Sequence, residues 1–230
     1  MNKKIGIIVA DDGEYTPLVE KIKDSENIGF FGRDCHKFNV GEITVYGLLC
    51  GIGKVNAASA TMYLYSLGCD TILNYGYSGG ITGVKKGEVV INDRFMEHDF
   101  DLVCLGYKPC EKPAQTYIYN ADEELINILF DIYPEAKKGL AVTGDCFISN
   151  DEIRDRMKND FSAVSCDMET AAIASVCFQT GIKFACVRQI SDDAGDDANA
   201  SYGEVAYSGN IAPALGVLEL IQRLSEKEKV

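Results

Sequence analysis

The chain has 230 residues, with 22 Lys and Arg against 35 Asp and Glu, so its formal charge is −13 at pH 7 with both histidines neutral. Proteins that bind nucleic acid carry clustered basic side chains. This sequence has no dense basic run before its charged tail, residues 226–229, and the tail alternates in sign, which excludes nucleic acid as a partner. The composition, 47% hydrophobic and 25% charged, is typical of one globular α/β domain, predicted over residues 1–230.

The sequence also predicts where the protein resides. Its apolar runs fall short of the roughly 18–20 residues that cross a bilayer, so neither a membrane partner nor a targeting segment is expected. Nine cysteines are present without a Cys-x-x-Cys pair, and most lie in apolar runs such as 47–50 and 184–187. A thiol in such a run acts as a small hydrophobe, which predicts a reducing, cytoplasmic compartment.

Short apolar runs predict the strands of a sheet. Ile5 to Ala10 is a continuous apolar run that stops at residues 11–13 (Asp-Asp-Gly), which is typical of a strand buried on both faces. Further runs of this kind lie at Ile43 to Cys50, Thr71 to Asn74, Glu88 to Asn92, Gly139 to Thr143, Ala163 to Cys166 and Phe184 to Ile190. Because helical periodicities lie between several of them, the sequence predicts an α/β fold with a mostly parallel or mixed sheet flanked by helices.

Helices are predicted where their first residues are marked. Residues 149–152 (Ser-Asn-Asp-Glu) form a capping-box pattern, and residues 121–124 (Ala-Asp-Glu-Glu) provide the acidic first turn of a helix that ends before Pro134. Other helices are predicted over Asn56 to Leu67, Glu169 to Thr180 and much of Glu204 to Ser225. Segments Asn27 to Val40 and Phe95 to Gln115 have no clear period, so loops, short strands or hairpins are expected there.

In open α/β sheets, ligands bind beyond the carboxyl ends of the strands. Polar or glycine-rich residues follow the predicted strands at 11–14 (Asp-Asp-Gly-Glu), 51–56 (Gly-Ile-Gly-Lys-Val-Asn), 74–80 (Asn-Tyr-Gly-Tyr-Ser-Gly-Gly), 167–169 (Asp-Met-Glu) and 188–193 (Arg-Gln-Ile-Ser-Asp-Asp). Each has an ordinary structural explanation, since acids favour helix starts and glycines favour sharp turns. Residues 51–56 lack the endings of the dinucleotide and phosphate-loop motifs, which favours a tight strand-to-helix turn.

Residues 98–101 (His-Asp-Phe-Asp) contain side-chain types that bind metals. The chain has only two histidines, and no cysteine spacing supports a metal site. The sequence therefore predicts no metal and no cofactor.

Three of the strand-end carboxylates, Glu14, Glu169 and Asp192, are expected to converge on one cleft. Cleavage of a glycosidic bond requires paired carboxylates, because one donates a proton to the leaving group and the other activates water. The residues alone therefore predict either an α/β hydrolase or a binding protein for a small ligand with several hydroxyls.

Taken in order, these motifs resemble the nucleoside phosphorylase superfamily, and most closely its branch of 5'-methylthioadenosine/S-adenosylhomocysteine nucleosidases. The resemblance runs from about residue 4 to residue 220. The residues that carry it are the Ile5 to Ala10 run with the acids up to Glu14, residues 51–58 (Gly-Ile-Gly-Lys-Val-Asn-Ala-Ala), 74–80, 87–90 (Gly-Glu-Val-Val), 98–101, 143–148 (Thr-Gly-Asp-Cys-Phe-Ile), 167–174 (Asp-Met-Glu-Thr-Ala-Ala-Ile-Ala) and 188–192.

The resemblance implies a single domain around a central, partly closed mixed sheet, and a homodimer that binds a small purine nucleoside. It implies that Asp192 is the general acid that protonates N7 of the departing purine, that Glu14 positions and deprotonates the attacking water, and that Glu169 hydrogen-bonds the ribose hydroxyls. The other positions it assigns to the substrate are Ile52, Ser78, Gly79, Phe147, Ile148, Met168 and Tyr202, with Leu102, Leu105 and Pro113 coming from the neighbouring subunit.

The first turn offers Asp11, Asp12 and Glu14 where a phosphate dianion would need basic side chains, which favours water as the nucleophile. The predicted reaction is hydrolysis of the N-ribosidic bond of methylthioadenosine, S-adenosylhomocysteine or a related adenine nucleoside, as in methionine salvage and nucleoside catabolism. A purine nucleoside phosphorylase and a nucleoside-binding protein without turnover remain alternatives. Asp11 and Tyr77 depart from the family's usual methionine and serine, so a nucleoside with a polar 5' group is an alternative substrate.

Overall fold

The computed structural model describes residues 3–206 and 211–227. These residues form the strands β1 (Lys4–Val9), β2 (Glu26–Asn27), β3 (Cys35–Val40), β4 (Ile43–Leu49), β5 (Thr71–Gly80), β6 (Val89–Glu97), β7 (Ile118–Asn120), β8 (Lys137–Thr143), β9 (Ser165–Asp167) and β10 (Lys183–Asp192). The helices are α1 (Asp12–Val19), α2 (Lys54–Ser66), α3 (Glu123–Ile132), α4 (Asp151–Phe161), α5 (Thr170–Thr180), α6 (Ala198–Ala206) and α7 (Ala212–Lys227), and a 3₁₀ turn covers Val103–Leu105.

All ten strands belong to one mixed sheet, which is partly closed. Its strand order is β10-β6-β8-β9-β5-β1-β4-β3-β2, with β7 paired to β6. An additional pairing between β10 and β5 closes β10, β6, β8, β9 and β5 into a ring, from which β1, β4, β3 and β2 extend. The predicted fold class, an α/β domain with a mixed, partly closed sheet flanked by helices, is therefore confirmed.

Helices pack on both faces of the sheet, which explains the continuous apolar runs. In β1, Ile7 joins a core cluster with Leu129 of α3 and Leu220 of α7. Its neighbour Ile8 points to the opposite face and packs in a cluster with residues of α2 and α5. A strand covered on both faces needs apolar side chains at successive positions rather than at alternate ones.

The marked helix starts are present where the sequence predicts them. The side chain of Asp122 accepts a hydrogen bond from the Leu125 N–H at 3.1 Å and caps α3, and Asn150 caps α4 through the Ile153 N–H at 3.0 Å. Such a cap satisfies an N–H group that has no partner within its helix. The predicted helix from Glu204 to Ser225 corresponds to the end of α6 and most of α7, and residues 207–210 between them lie outside the described residues.

One expectation is wrong. Residues 74–80 continue β5 as a strand and do not form a glycine-rich turn. The backbone of β5 pairs with β10 from Thr71 to Gly79 and with β9 at Gly79 and Gly80, so each glycine is held extended by a neighbouring strand, and Gly79 is paired on both sides. A chain without Cβ atoms at these positions can pass close to the side chains of the neighbouring strands.

The topology brings distant parts of the chain to one edge of the sheet. β1, β5 and β10 are adjacent parallel strands, so their carboxyl ends meet, and β9 runs antiparallel to β5 beside Gly79. Glu14, Met168 and Glu169 follow two of these strands, and Ser78, Gly79 and Asp192 lie at the ends of two others. All nine cysteines are free thiols, and most are buried. Within the described residues, no helix is both long enough and apolar enough to span a membrane.

Candidate active site

A cavity of about 350 Å³ lies at this edge of the sheet. The ten site residues predicted for the chain's own cavity line it: Glu14, Ile52, Ser78, Gly79, Phe147, Ile148, Met168, Glu169, Asp192 and Tyr202. Leu102, Leu105 and Pro113, which are predicted for a neighbouring subunit's cavity, do not line this one. Ala10, Cys146, Cys166, Ser191 and Asn199 also line the cavity, although none of them is predicted from the sequence as a site residue. Cys146 and Ser191 directly adjoin the predicted residues Phe147 and Asp192, whereas nothing in the local sequence marks Asn199.

Glu14 lies in the first turn of α1 and is 5% exposed. Its Oε1 accepts a hydrogen bond from the Tyr77 N–H of β5 at 2.6 Å, and its Oε2 is buried without a hydrogen-bond partner. Burial raises the pKa of Glu14 to about 7, against the opposing charge of Arg188. A carboxylate with a free oxygen and a pKa near neutrality can take a proton from a bound water molecule.

Arg188 of β10 lies behind the cavity and is 1% exposed. Its Nη2 donates to Asn74 Oδ1 at 2.7 Å and to Thr170 Oγ1, and its Nη1 donates to the Tyr77 carbonyl at 3.3 Å. The same Nη2 is 3.3 Å from Asp167 Oδ2, so the guanidinium is held by protein groups and does not line the cavity. In the sequence, Arg188 belongs to one of the motifs that carry the family resemblance, and no role is predicted for it.

Glu169 precedes α5 and is 5% exposed. Its Oε1 accepts a hydrogen bond from the Gly53 N–H at 2.9 Å, and its Oε2 is 3.9 Å from Arg188 Nη2. Burial raises the pKa of Glu169 to about 7, although Arg188 opposes the shift. Gly53 has φ of 100°, a conformation that favours glycine, so this glycine serves the turn whose N–H holds Glu169.

Asp167 organises the backbone from which Glu169 projects. Its Oδ1 accepts hydrogen bonds from Thr143 Oγ1 at 2.7 Å, from the Glu169 N–H at 3.1 Å and from the Thr170 N–H at 3.0 Å. Its Oδ2 accepts from Thr170 Oγ1. This carboxylate fixes the start of α5 and thereby the direction in which Glu169 leaves the backbone.

Asp192 ends β10 and is 2% exposed. Its Oδ2 accepts a hydrogen bond from Ser191 Oγ at 2.7 Å, and its Oδ1 accepts from the Ala194 N–H at 2.8 Å. Burial raises the pKa of Asp192 despite these donors, and the neighbouring Asp193 adds to the rise. A raised pKa keeps more of the protonated form available near neutral pH, as a general acid needs.

Aromatic side chains cover part of the cavity. The ring of Tyr202 meets Phe147 edge-on at a centroid distance of 5.6 Å and Tyr77 at 6.3 Å. Phe147 is 45% exposed, so one part of its ring is open to a ligand or a partner. These rings offer a planar purine the offset or edge contacts that aromatic pairs favour.

The acidic residues of the His98 to Asp101 motif have structural partners. Asp99 Oδ1 accepts from Lys54 Nζ at 2.7 Å, and its Oδ2 accepts from the Asp145 N–H at 3.0 Å. Lys54 Nζ also contacts Glu97 at 3.0 Å. This ion-pair network joins the start of α2 to the segment that carries Phe147, so Asp99 serves to position the cavity wall.

Asp11, which is unexplained at the level of sequence, is the N-cap of α1. Its Oδ1 accepts a hydrogen bond from the Gly13 N–H at 2.8 Å. Asp11 is also one of the residues that line the cavity.

A model of the phosphorylase superfamily matches residues 4–219. The chain belongs to this superfamily. The 5'-methylthioadenosine/S-adenosylhomocysteine nucleosidase of Exiguobacterium sp. is 32% identical over 231 residues, covering 97% of this chain and 99% of the relative. The nucleosidase of the same name from Staphylococcus carnosus is 34% identical over 227 residues, covering 96% of this chain and all of the relative.

A solved structure shares the fold. S-adenosylhomocysteine nucleosidase from Streptococcus pyogenes, in complex with 5-methylthiotubericidin, has a TM-score of 0.90 and 27% identity, and the match covers 97% of this chain and 98% of that chain. Within the phosphorylase superfamily, the chain belongs to the 5'-methylthioadenosine/S-adenosylhomocysteine nucleosidase family. This membership confirms the resemblance described from the sequence and the predicted enzyme class, an N-glycosyl hydrolase.

The raised pKa of Glu14 predicts a pH-dependent effect of Glu14→Gln on the stability of this nucleosidase-family chain. Because the folded-state pKa of about 7 lies above the ordinary 4.5, the favourable contribution of Glu14 is fully present below pH 4.5 and is lost as the pH rises through 7. Glutamine mimics the protonated form, so the variant should gain about 2 kcal/mol more in unfolding free energy at pH 8 than at pH 5. Urea denaturation at both pH values measures this difference.

Asp12→Asn is the control, since it removes an exposed carboxylate from the same turn of α1. It should not reproduce the difference between the two pH values. An equal change in stability at pH 5 and pH 8 for Glu14→Gln would contradict a raised pKa at this position.

Proposed function

We propose that the protein is a purine nucleosidase that uses water to hydrolyse the N-ribosidic bond of methylthioadenosine, S-adenosylhomocysteine or a related adenine nucleoside, releasing the free base and the sugar. The observation that carries this proposal is the set of buried carboxylates Glu14, Glu169 and Asp192 around one cavity. The cavity is large enough for a small ligand and combines apolar walls with a few polar groups, as small-molecule sites generally do.

Asp192 is the proposed general acid. Cleavage leaves the bonding electrons on the purine, so the base departs more easily when a proton reaches N7. After Asp192 gives up this proton, its new charge is stabilised by Ser191 Oγ and the Ala194 N–H. Ser191 Oγ is also 3.2 Å from the Ser78 carbonyl, which gives its proton an alternative acceptor while Asp192 is protonated.

Glu14 is the proposed general base. Because Tyr77 N–H occupies Oε1, the unpartnered Oε2 is the oxygen available to a water molecule. As the C–N bond breaks, positive charge develops on the ribose, and the water attacks that carbon while its proton passes to Glu14. Each of the two proton transfers is worth typically about 10²–10⁴-fold in rate.

Glu169 is proposed to orient the ribose. Its position beside Met168 on the cavity wall suits an acceptor for the sugar hydroxyls, and the Gly53 N–H keeps the side chain from turning away. Phe147 supports the base by stacking, and Ile148 meets the base edge through its backbone. The remaining walls of the proposed substrate site are Ile52, Ser78, Gly79 and Tyr202.

The charges around the cavity favour water over phosphate as the nucleophile. Among the described residues that line it, Asp11, Glu14, Asp167, Glu169 and Asp192 are acidic, and none is Lys or Arg. The guanidinium of Arg188 is engaged by Asn74, Thr170, Asp167 and the Tyr77 carbonyl. A phosphate dianion would therefore meet carboxylates without an available cation.

Base release should be independent of phosphate. We expect free adenine from methylthioadenosine, S-adenosylhomocysteine or adenosine at the same rate with and without phosphate, with free ribose or its 5' derivative as the second product. Chromatography of the base and the sugar measures both. Base release only with phosphate, accompanied by a sugar 1-phosphate, would establish a phosphorylase instead.

The Asp192→Asn variant tests whether the protein is an enzyme or a nucleoside-binding protein. The amide keeps the size of the side chain but has no acidic proton, so kcat should fall by about 10²–10⁴-fold while the Kd of the nucleoside changes little. Stopped assays and calorimetry measure the two quantities. Near-normal turnover in this variant would exclude Asp192 as the acid, and binding without turnover in the unmodified protein would favour the binding-protein alternative.

We further infer that residues 1–230 form one domain that acts as a cytoplasmic homodimer, with a place in methionine salvage and nucleoside catabolism. Exposed apolar side chains at the cavity mouth and beyond support a second copy as the partner: Ile52 is 52% exposed, Val55 77% and Leu105 68%. The contact between Lys54 and Asp99 holds the start of α2 beside the segment that leads to Leu105. Leu102, Leu105 and Pro113 are the residues proposed to reach the partner's cavity.

Leu105→Glu should break this dimer. A buried charge at the interface would be costly, so the variant should sediment as a monomer, and its KM for the nucleoside should rise by about tenfold if Leu105 completes the partner's site. Leu215→Glu is the matched control, because Leu215 is a 55% exposed leucine on α7. An unmodified protein that sediments as a monomer would contradict the proposal.

A further inference from the structure

The part of the cavity wall next to Glu14 carries polar atoms that no described residue satisfies. Asp11 uses Oδ1 to cap α1 through the Gly13 N–H at 2.8 Å, and its Oδ2 has no protein partner within residues 3–206 and 211–227. The Tyr202 hydroxyl likewise makes no hydrogen bond to these residues. Glu14 Oε2 is a third such atom, and it belongs to a side chain that is only 5% exposed.

These groups lie close enough to interact. Burial raises the pKa of the Tyr202 hydroxyl, and the charges of Glu14 and Asp11 are the next contributors to the rise. The charge of Asp11 also contributes to the raised pKa of Glu14. Asp11 and Glu14 lie one helical turn apart at the start of α1, and the Tyr15 N–H donates to the Asp11 carbonyl at 2.9 Å.

The acid Asp192 lies away from this group. An added Cβ at Gly79 would stand 3.1 Å from Asp192 Oδ1, whereas one at Gly76 would stand 2.7 Å from Glu14 Oε1. Because a strand rises about 3.3 Å per residue, these points on β5 are separated by about 10 Å. A nucleoside with its base at Asp192 and its ribose at Glu14 would extend away from Asp192 past Glu14, and the cavity-lining residues whose charges interact with Glu14 there are Asp11 and Tyr202.

A carboxylate oxygen needs a hydrogen-bond donor or a cation, and a thioether provides neither. Placing apolar groups against a partly buried carboxylate without a donor costs free energy. We propose that this end of the cavity selects purine nucleosides whose 5' carbon carries a hydrogen-bond donor, a hydroxyl or an ammonium group, and that Asp11 determines this specificity. The inference rests on the proposed nucleosidase function and identifies the substrate class within it.

The test compares four adenine nucleosides that differ at the 5' carbon: adenosine, 5'-amino-5'-deoxyadenosine, 5'-deoxyadenosine and methylthioadenosine. The unmodified protein should show a kcat/KM about 10- to 100-fold higher for the amino compound than for 5'-deoxyadenosine, the range that a hydrogen bond to a charged group supplies. The kcat/KM for adenosine should lie between these two values, and the kcat/KM for methylthioadenosine should not exceed that for adenosine.

Asp11→Asn is the decisive variant. Asparagine keeps an oxygen for the Gly13 N–H and so keeps the cap of α1, and it then presents an NH₂ donor where Asp11 presents an acceptor. The preference for the amino compound over 5'-deoxyadenosine should fall by at least tenfold. Asp12→Asn, which removes a neighbouring exposed charge that does not line the cavity, should leave that preference unchanged.

Binding measured in the Asp192→Asn background separates this proposal from the proposed function. If the unmodified protein hydrolyses none of the nucleosides, but the Asp192→Asn protein still binds the amino compound most tightly and Asp11→Asn abolishes that order of binding, the nucleosidase function is wrong and the assignment of Asp11 stands. A preference for methylthioadenosine over adenosine, or a preference for the amino compound that survives Asp11→Asn with α1 intact by circular dichroism, would overturn the assignment.

Discussion

The guanidinium of Arg188 lies beneath the floor of the cavity and balances the carboxylates that surround it. Its Nη2 lies 3.3 Å from Asp167 and 3.9 Å from Glu169. Its positive charge lowers the pKa values of Glu14 and Glu169, which burial raises. Burying several carboxylates without such a cation would force them into their neutral forms. With it, the pKa values of Glu14 and Glu169 remain near 7, within the range in which a carboxyl group can exchange protons at physiological pH.

Much of the surrounding structure accommodates this cation. Gly76 has no side chain, and a Cβ there would lie 2.3 Å from Arg188 Nη1. Asn74 and Thr170 direct oxygens at the guanidinium, so elements as distant in sequence as β5 and α5 converge on it. The strand-to-helix turn at Gly53 then supplies the N–H that holds Glu169 from the other side. The geometry of the site thus follows from the need to enclose one positive charge among several negative ones.

The sequence predicts the strands and helices of this protein better than the polar contacts in its interior. Continuous apolar runs identify the core of β1, β4, β8 and β10, because strands covered on both faces carry mostly apolar side chains. Cap residues such as Asp122 and Asn150 identify helix starts because their side chains satisfy the first N–H groups locally. The extension of β5 through residues 74–80 is not visible in this way, since its glycines resemble a turn until the neighbouring strands are known.

The sequence predicts which side chains line the cavity better than it predicts the contacts that hold them. Carboxylates at strand ends, together with the family resemblance, select the side chains that line the cavity, because the carboxyl ends of parallel strands meet. The contact between Gly53 and Glu169 joins residues 116 positions apart, so no local pattern encodes it. Arg188 lies inside an apolar run, where its charge has no visible partner, and Asp11 looks like a solvated acid until its cap and its place in the wall are both seen.

The ring formed by β10, β6, β8, β9 and β5 bears on how copies of this chain can associate. Strands within the ring have a neighbour on each side, and the outer edges of the described sheet are β2, which has two residues, residues 38–40 of β3, which β2 does not cover, and β7, which has three residues. Such short edges offer too few N–H and C=O groups to recruit a strand from another molecule. Backbone-templated aggregation of the folded protein is therefore disfavoured even at high protein concentration, and contacts between copies are left to side chains.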